Sequence, residues 1–244
     1  KFGLCDREDS LFTELSRTLL FVTTKKIATS TFWQIASQAT MAALSILTVK
    51  FVAIGLSKEL AGMYNSAYGF LQFFGILADF GLYAIAVREV SKAEGKEREK
   101  VLGTLIVLRL GILMLALGTA LIFVWGMPMW HGTSLPLAIT IAAFVPLFTL
   151  LAGVLRSIFQ VSYKMHFVFA AEVLQRIFTV SAIGAFIFIG TRGSTDIRLC
   201  YAFLLIGGIG AFILFVFSFL FGNGITRVRL HFDADLTKKM LRMS

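Results

Sequence analysis

The chain has 244 residues, 57% apolar and 15% charged, with a mean hydropathy of +0.83; a soluble globular protein carries about 25% charged and about 45–50% apolar residues. The apolar residues gather in stretches longer than the roughly 20 residues that a helix needs to cross a bilayer, which excludes a water-soluble enzyme and makes this an integral membrane protein. The formal charge of +9 therefore reports topology first, and no nucleic-acid partner is expected.

In chain order, residues 1–26 read as a cytoplasmic N-terminal segment, within which 11–22 could lie as an amphipathic helix on the inner leaflet. Residue 1 is Lys and not Met, and the sequence displays no cleavable signal pattern, so the chain is expected to be a fragment at its start. Six apolar spans follow, at about 30–56, 62–87, 101–127, 135–155, 167–190 and 199–222. They must be helices, because an isolated strand in hydrocarbon leaves its backbone groups unpaired and barrel strands are shorter. The fold class is all-α: a six-transmembrane-helix lobe over 27–222, then a cytoplasmic linker over 223–244.

Lysines and arginines fix the expected orientation. Five precede the first span, five lie between the second and third, two (Arg156, Lys164) between the fourth and fifth, and five follow the sixth. The opposite side has only Lys58, Arg192 and Arg198, so both ends of the chain are expected on the cytoplasmic side of a cell membrane. Trp125 and Trp130 bracket the outer loop at Pro128, where interfacial aromatics belong.

Chemistry inside the spans is sparse. Lys50, Asp79, Arg109, Glu172 and Arg176 are the ionisable residues there, each costing about 2.5–3.5 kcal/mol on insertion scales unless paired or hydrated. Asp79 and Arg109 each stand nine residues from a cytoplasmic helix end, roughly 13 Å deep, so they can pair between neighbouring helices. Glu172 and Arg176 are four apart and can neutralise one another along span five. Lys50 is close enough to the outer end of span one to reach the interface.

Helical projection gathers Gln34, Gln38, Ser45 and Thr48 on one face of span one. Asn65, Tyr68, Gln72, Asp79 and Tyr83 share a face of span two, and Glu172, Gln175, Arg176 and Thr179 share one on span five. Two arrangements satisfy such stripes: a shared hydrated cavity, or interhelical hydrogen bonds in a dry bundle at about 0.6 kcal/mol each. Gly207, Gly208 and Gly210 form a small-residue patch on span six that permits close helix contact.

Catalytic signatures do not emerge. His131, His166 and His231 are isolated, and Cys5 and Cys200 are too few and too distant for a disulfide scaffold or metal site. There is no P-loop and no Gly-x-Ser-x-Gly elbow. The sequence points to no catalytic residue, no metal and no cofactor, hence to a non-enzyme.

Several motifs resemble one family. They are Lys25-Lys26-Ile27-Ala28 before Trp33-Gln34, then Ala61-Gly62-Met63-Tyr64, Leu77-Ala78-Asp79-Phe80-Gly81-Leu82 and Val87-Arg88-Glu89-Val90. Ser157-Ile158-Phe159-Gln160 and Lys164-Met165 follow, and the tail runs from Leu230-His231-Phe232-Asp233 to Ser244. Over about 25–244 the chain resembles the polysaccharide biosynthesis proteins, the lipid-linked oligosaccharide flippases of the superfamily that also holds multidrug antiporters and lipid II flippases.

The resemblance implies the first lobe of a transporter with twelve to fourteen spans. It would move an isoprenoid-pyrophosphate-linked sugar across the cytoplasmic membrane by alternating access, for surface polysaccharide synthesis. Its partners would be the lipid-linked oligosaccharide, membrane lipids and other polysaccharide-assembly proteins. Gln34, Gln38, Asn65, Gln72, Asp79, Arg109, Glu172, Gln175 and Arg176 are the candidate cavity residues. Arg109 and Arg176 suit a pyrophosphate by their planar donors, unless they neutralise Asp79 and Glu172 instead. The alternatives are an ion-coupled drug or metabolite antiporter, in which Asp79 binds H⁺ or Na⁺, and a non-transporting scaffold for glycan assembly.

Overall fold

A computed structural model describes residues 5–79, 82–93, 95–130 and 132–225, with side chains from Ala28 onward except at 79, 82–85 and 96. The candidate linker beyond residue 225 lies outside the described residues. Among the described residues eight α-helices run in order: α1 Cys5–Gly55, α2 Lys58–Asp79, α3 Leu82–Lys92, α4 Gly95–Gly126, α5 Leu135–Ala142, α6 Phe144–Val161, α7 Met165–Phe188 and α8 Ile197–Ile225. A single 3₁₀ turn, Pro128–Trp130, joins α4 to α5.

Five helical stretches are long and apolar enough to cross a membrane: Ala28–Gly55, Glu97–Gly126, Leu135–Val161, Met165–Phe188 and Ile197–Ile225. They coincide with five of the six expected spans. The remaining one, 62–87, falls across α2 and α3, which are separate helices. Lys58, Glu59, Asn65, Gln72 and Asp79 make α2 less apolar than those five stretches. A second difference concerns α1, a continuous helix of 51 residues, so no break sets 11–22 apart as an element of its own.

The fourth span is also longer than expected, ending at Val161 and not at 155. It is interrupted at Ala143, between α5 and α6. Pro146 explains the break: it has no N–H to offer the carbonyl one turn earlier, at Ala142, and its ring crowds that carbonyl.

The principal contacts are α1 on α7, α6 on α8 and α7 on α8, with α2 against α4 and α5, and α3 against α6. The largest core joins Val52, Leu71, Leu113, Ile139, Ile183 and Phe203. A second lies toward the other end of the bundle, where Val90, Leu102, Leu105, Leu155 and Ile158 meet. Large apolar side chains cover the outside, Phe188 being 90% and Ile122 76% exposed. Such a surface is costly in water and natural in lipid, where hydrocarbon is the solvent.

Glycines set how closely the helices approach. A methyl group built at Gly210 of α8 would stand 2.5 Å from the Thr179 hydroxyl of α7, and one at Gly207 would collide with the Tyr68 hydroxyl of α2. The small-residue patch of span six is therefore the seam where three helices meet. At one end of the bundle the loop before α8 closes onto α1: Ser57 donates to the Ser194 carbonyl at 2.8 Å, while Gly193 and Ser194 donate to the carbonyls of Ile54 and Gly55. Those bonds satisfy acceptors that the end of α1 would otherwise leave bare.

A candidate cleft between α1, α4 and α6

α6 presents Thr149, Gly153, Arg156 and Gln160 along one side, at the three- and four-residue spacing that keeps side chains on a common helix face. Together with Gln34, Ile35 and Gln38 of α1 and Arg109 of α4, they line an open cleft of about 680 Å³. Its lining combines two guanidinium groups, three primary amides and a threonine, in a bundle whose other faces are largely apolar.

Arg109 is only 4% exposed. Its guanidinium lies against α6 where residue 153 has no side chain; a methyl group there would sit 3.5 Å from Nη2 and 3.7 Å from Cζ. The guanidinium thus lies over the helix backbone at a distance where a methyl group would just reach ordinary contact.

Arg156 enters from the other side of the same face. Its Nη1 donates to Oε1 of Glu172 on α7 at 2.7 Å. The second carboxylate oxygen, Oε2, accepts from the hydroxyl of Ser37 on α1. Ser37 is buried. Three helices are tied together by one carboxylate, beside the cleft and not within its lining.

The candidate residues separate by location. Gln34, Gln38 and Arg109 come together in the cleft. Gln72 lines a neighbouring apolar cleft of about 340 Å³ between α2 and α6, with Tyr68, Leu71, Ile76, Val145 and Pro146. Thr149 and Leu150 border both clefts. Asn65 is exposed on α2 and Lys50 is exposed on α1. The Asp79 side chain lies outside the described residues, and with it the expected Asp79–Arg109 pair.

Span five divides its polar residues among three neighbours. Glu172 pairs with Arg156 of α6 and not with Arg176, which corrects the expected pair along one helix. The hairpin geometry is the reason: α6 ends at Val161 and α7 starts at Met165, so residues a few positions from each end stand level and a short bond forms between helices. Gln175 and Thr179 are buried, packed against Gly210 of α8, and the Thr179 hydroxyl donates to the Gln175 carbonyl at 3.0 Å. Arg176 interacts electrostatically with Tyr64 and Tyr68 of α2. Its buried Nε has no hydrogen-bond partner among the described residues.

Arg156, Gln160, Thr149 and Gly153 are the cleft residues that sequence reasoning missed. Arg156 lies one residue beyond the apolar run of span four, where a loop is expected, and the structure places it on α6. The signal was present in the spacing: Arg156 and Glu172 are separated by a turn near their midpoint, and opposite charges so placed meet across a helical hairpin. Among the described residues, no group of three or more His, Cys, Asp or Glu converges as a metal site would require.

In chemical terms, a cleft with two planar cations and several amides suits a ligand bearing phosphate next to hydroxyl-rich groups. Guanidinium donates two parallel hydrogen bonds to phosphate oxygens, while carboxamides both donate to and accept from hydroxyls. The sequence family described as polysaccharide biosynthesis protein matches residues 27–244. No curated protein matches the chain, and no solved structure does.

Proposed function

The chain belongs to the polysaccharide biosynthesis protein family, and on that premise we propose that it carries a lipid-linked oligosaccharide, an isoprenoid-pyrophosphate sugar, across the cytoplasmic membrane by alternating access. The six-helix lobe would form one wall of the passage, with both ends of the chain cytoplasmic. The protein acts as a carrier and not as an enzyme.

The observation that supports this reading is the cleft itself, where Arg109 and Arg156 face Gln34, Gln38 and Gln160. Cations inside hydrocarbon are expensive and persist where they serve a path or a partner. Here Arg109 and Arg156 would hold the pyrophosphate, and the amides would hydrogen-bond the first sugar. This replaces the Arg109–Arg176 assignment, since Arg176 is among the tyrosines of α2 and is not a lining residue of the cleft.

The test is export. Arg109→Gln and Arg156→Gln are each expected to abolish surface polysaccharide while the protein still inserts into the membrane at normal abundance. Normal export by both variants would contradict the reading.

A further inference from the structure

Arg156 is shared between two environments. Its Nη1 is engaged by Glu172 at 2.7 Å, and the residue also lines the cleft. The arginine side chain is 24% exposed and the glutamate 12%, so the carboxylate approaches from the packed side and leaves the cleft side open. Ser37 holds the other carboxylate oxygen from α1. Because the pair is formally neutral, an anion entering the cleft meets a cation whose charge is already matched. Such an anion gains most when it takes two parallel N–H bonds, which requires the guanidinium to turn away from Glu172.

From this geometry we infer that Glu172 is a resident counter-anion, a positioning residue that a pyrophosphate-bearing head group displaces from Arg156. The inference rests on the proposed substrate and adds a regulation of that same cleft. Displacement leaves Glu172 tied to Ser37, so binding releases the salt bridge between α6 and α7 while the hydrogen bond between α1 and α7 remains. Ligand occupancy is thereby converted into a change in helix packing, the differential contact that any ligand-driven transition needs.

Inorganic pyrophosphate titrated by calorimetry into the full chain in lipid nanodiscs tests this. Glu172→Gln removes the competing charge and keeps the shape. It is expected to tighten pyrophosphate binding about tenfold, the factor for replacing a charge-assisted hydrogen bond at the guanidinium by a neutral one. Glu172→Asp should return the affinity toward that of the unsubstituted chain. In an Arg156→Gln background the Glu172→Gln gain should vanish, a coupling that a merely structural glutamate would not produce.

Thermal melting of each variant reports whether it is folded. A folded Glu172→Gln chain that binds no tighter than the original would overturn the inference alone, as would a gain that persists without Arg156. Absence of pyrophosphate binding by the original chain and all variants would overturn the substrate reading and the inference with it.

Discussion

Glu172 and Gln175 stand one turn apart on α7, but the first is tied to Arg156 and Ser37 beside a 680 Å³ cleft, while the second is buried against Gly210 of α8. Both are polar residues in an apolar helix. The comparison teaches that polarity within a span does not reveal whether it serves water or packing. The neighbouring helix decides: α6 offers a second polar face with an arginine, and α8 offers glycines that let backbone and side chain close without a gap. Where two polar faces meet, room is left for a ligand; where a polar face meets glycine, the seam is dry.

Glycine substitutions break this contrast most sharply. At the seam, Gly210→Ala puts a methyl group 2.5 Å from the Thr179 hydroxyl, and overpacking of this kind costs about 1–3 kcal/mol. The expected result is a lower melting temperature in detergent, with partial recovery in the double variant Gly210→Ala, Thr179→Ala. At the cleft, the same change at Gly153 meets Arg109 at 3.5 Å, which is ordinary contact. Gly153→Ala should therefore melt like the original chain or slightly higher, because alanine is the better helix former by about 0.5–1 kcal/mol.

A bulkier residue separates stability from function. Gly153→Val adds branches that push the Arg109 guanidinium off α6, and it is expected to lower export several-fold with little change in melting temperature. Unchanged export would show that the position of Arg109 over the glycine is immaterial. The smallest effect is reserved for Gln175→Leu. Gln175 packs against Gly210 of α8 and a leucine of similar volume keeps that packing at a cost below about 1.5 kcal/mol, so melting should shift barely and export should persist. Loss of export by a well-folded Gln175→Leu chain would place that residue in the passage and blur the contrast.

Much of this architecture could be read from residue order. Hydrophobic length located four of the five membrane-length helices to within a few residues, as at 167–190 against Met165–Phe188. Helical projection puts Gln34 and Gln38 on one face of span one, and Arg109 stands out as a charge within a span; all three line the cleft. Two physical facts escaped that reading. The apolar run of span four stops at Leu155, so a hydropathy boundary there cuts off Arg156 and Gln160, which lie on a helix that goes on to Val161. Helical projection also identifies residues that share a face without identifying what the face meets. Glu172 was matched with Arg176 on its own helix because the hairpin that brings in Arg156 is a tertiary feature.

On α2, Gln72 and Tyr68 border a largely apolar recess with Val145 and Pro146, at the point where the proline interrupts the fourth span. Thr149 connects that recess to the arginine-lined cleft.

Water access distinguishes the two sides of α7 most directly. In a background with Cys5→Ser and Cys200→Ala, single cysteines at Gln38 and Gln160 in the cleft and at Thr179 and Ser218 in the buried interior would be exposed to a membrane-impermeant, charged thiol reagent in native membranes. The account predicts rapid modification at Gln38 and Gln160, slowed by added pyrophosphate, and no modification at Thr179 or Ser218. Equal protection of all four positions would contradict it, because a cleft closed to water could not conduct a hydrophilic head group.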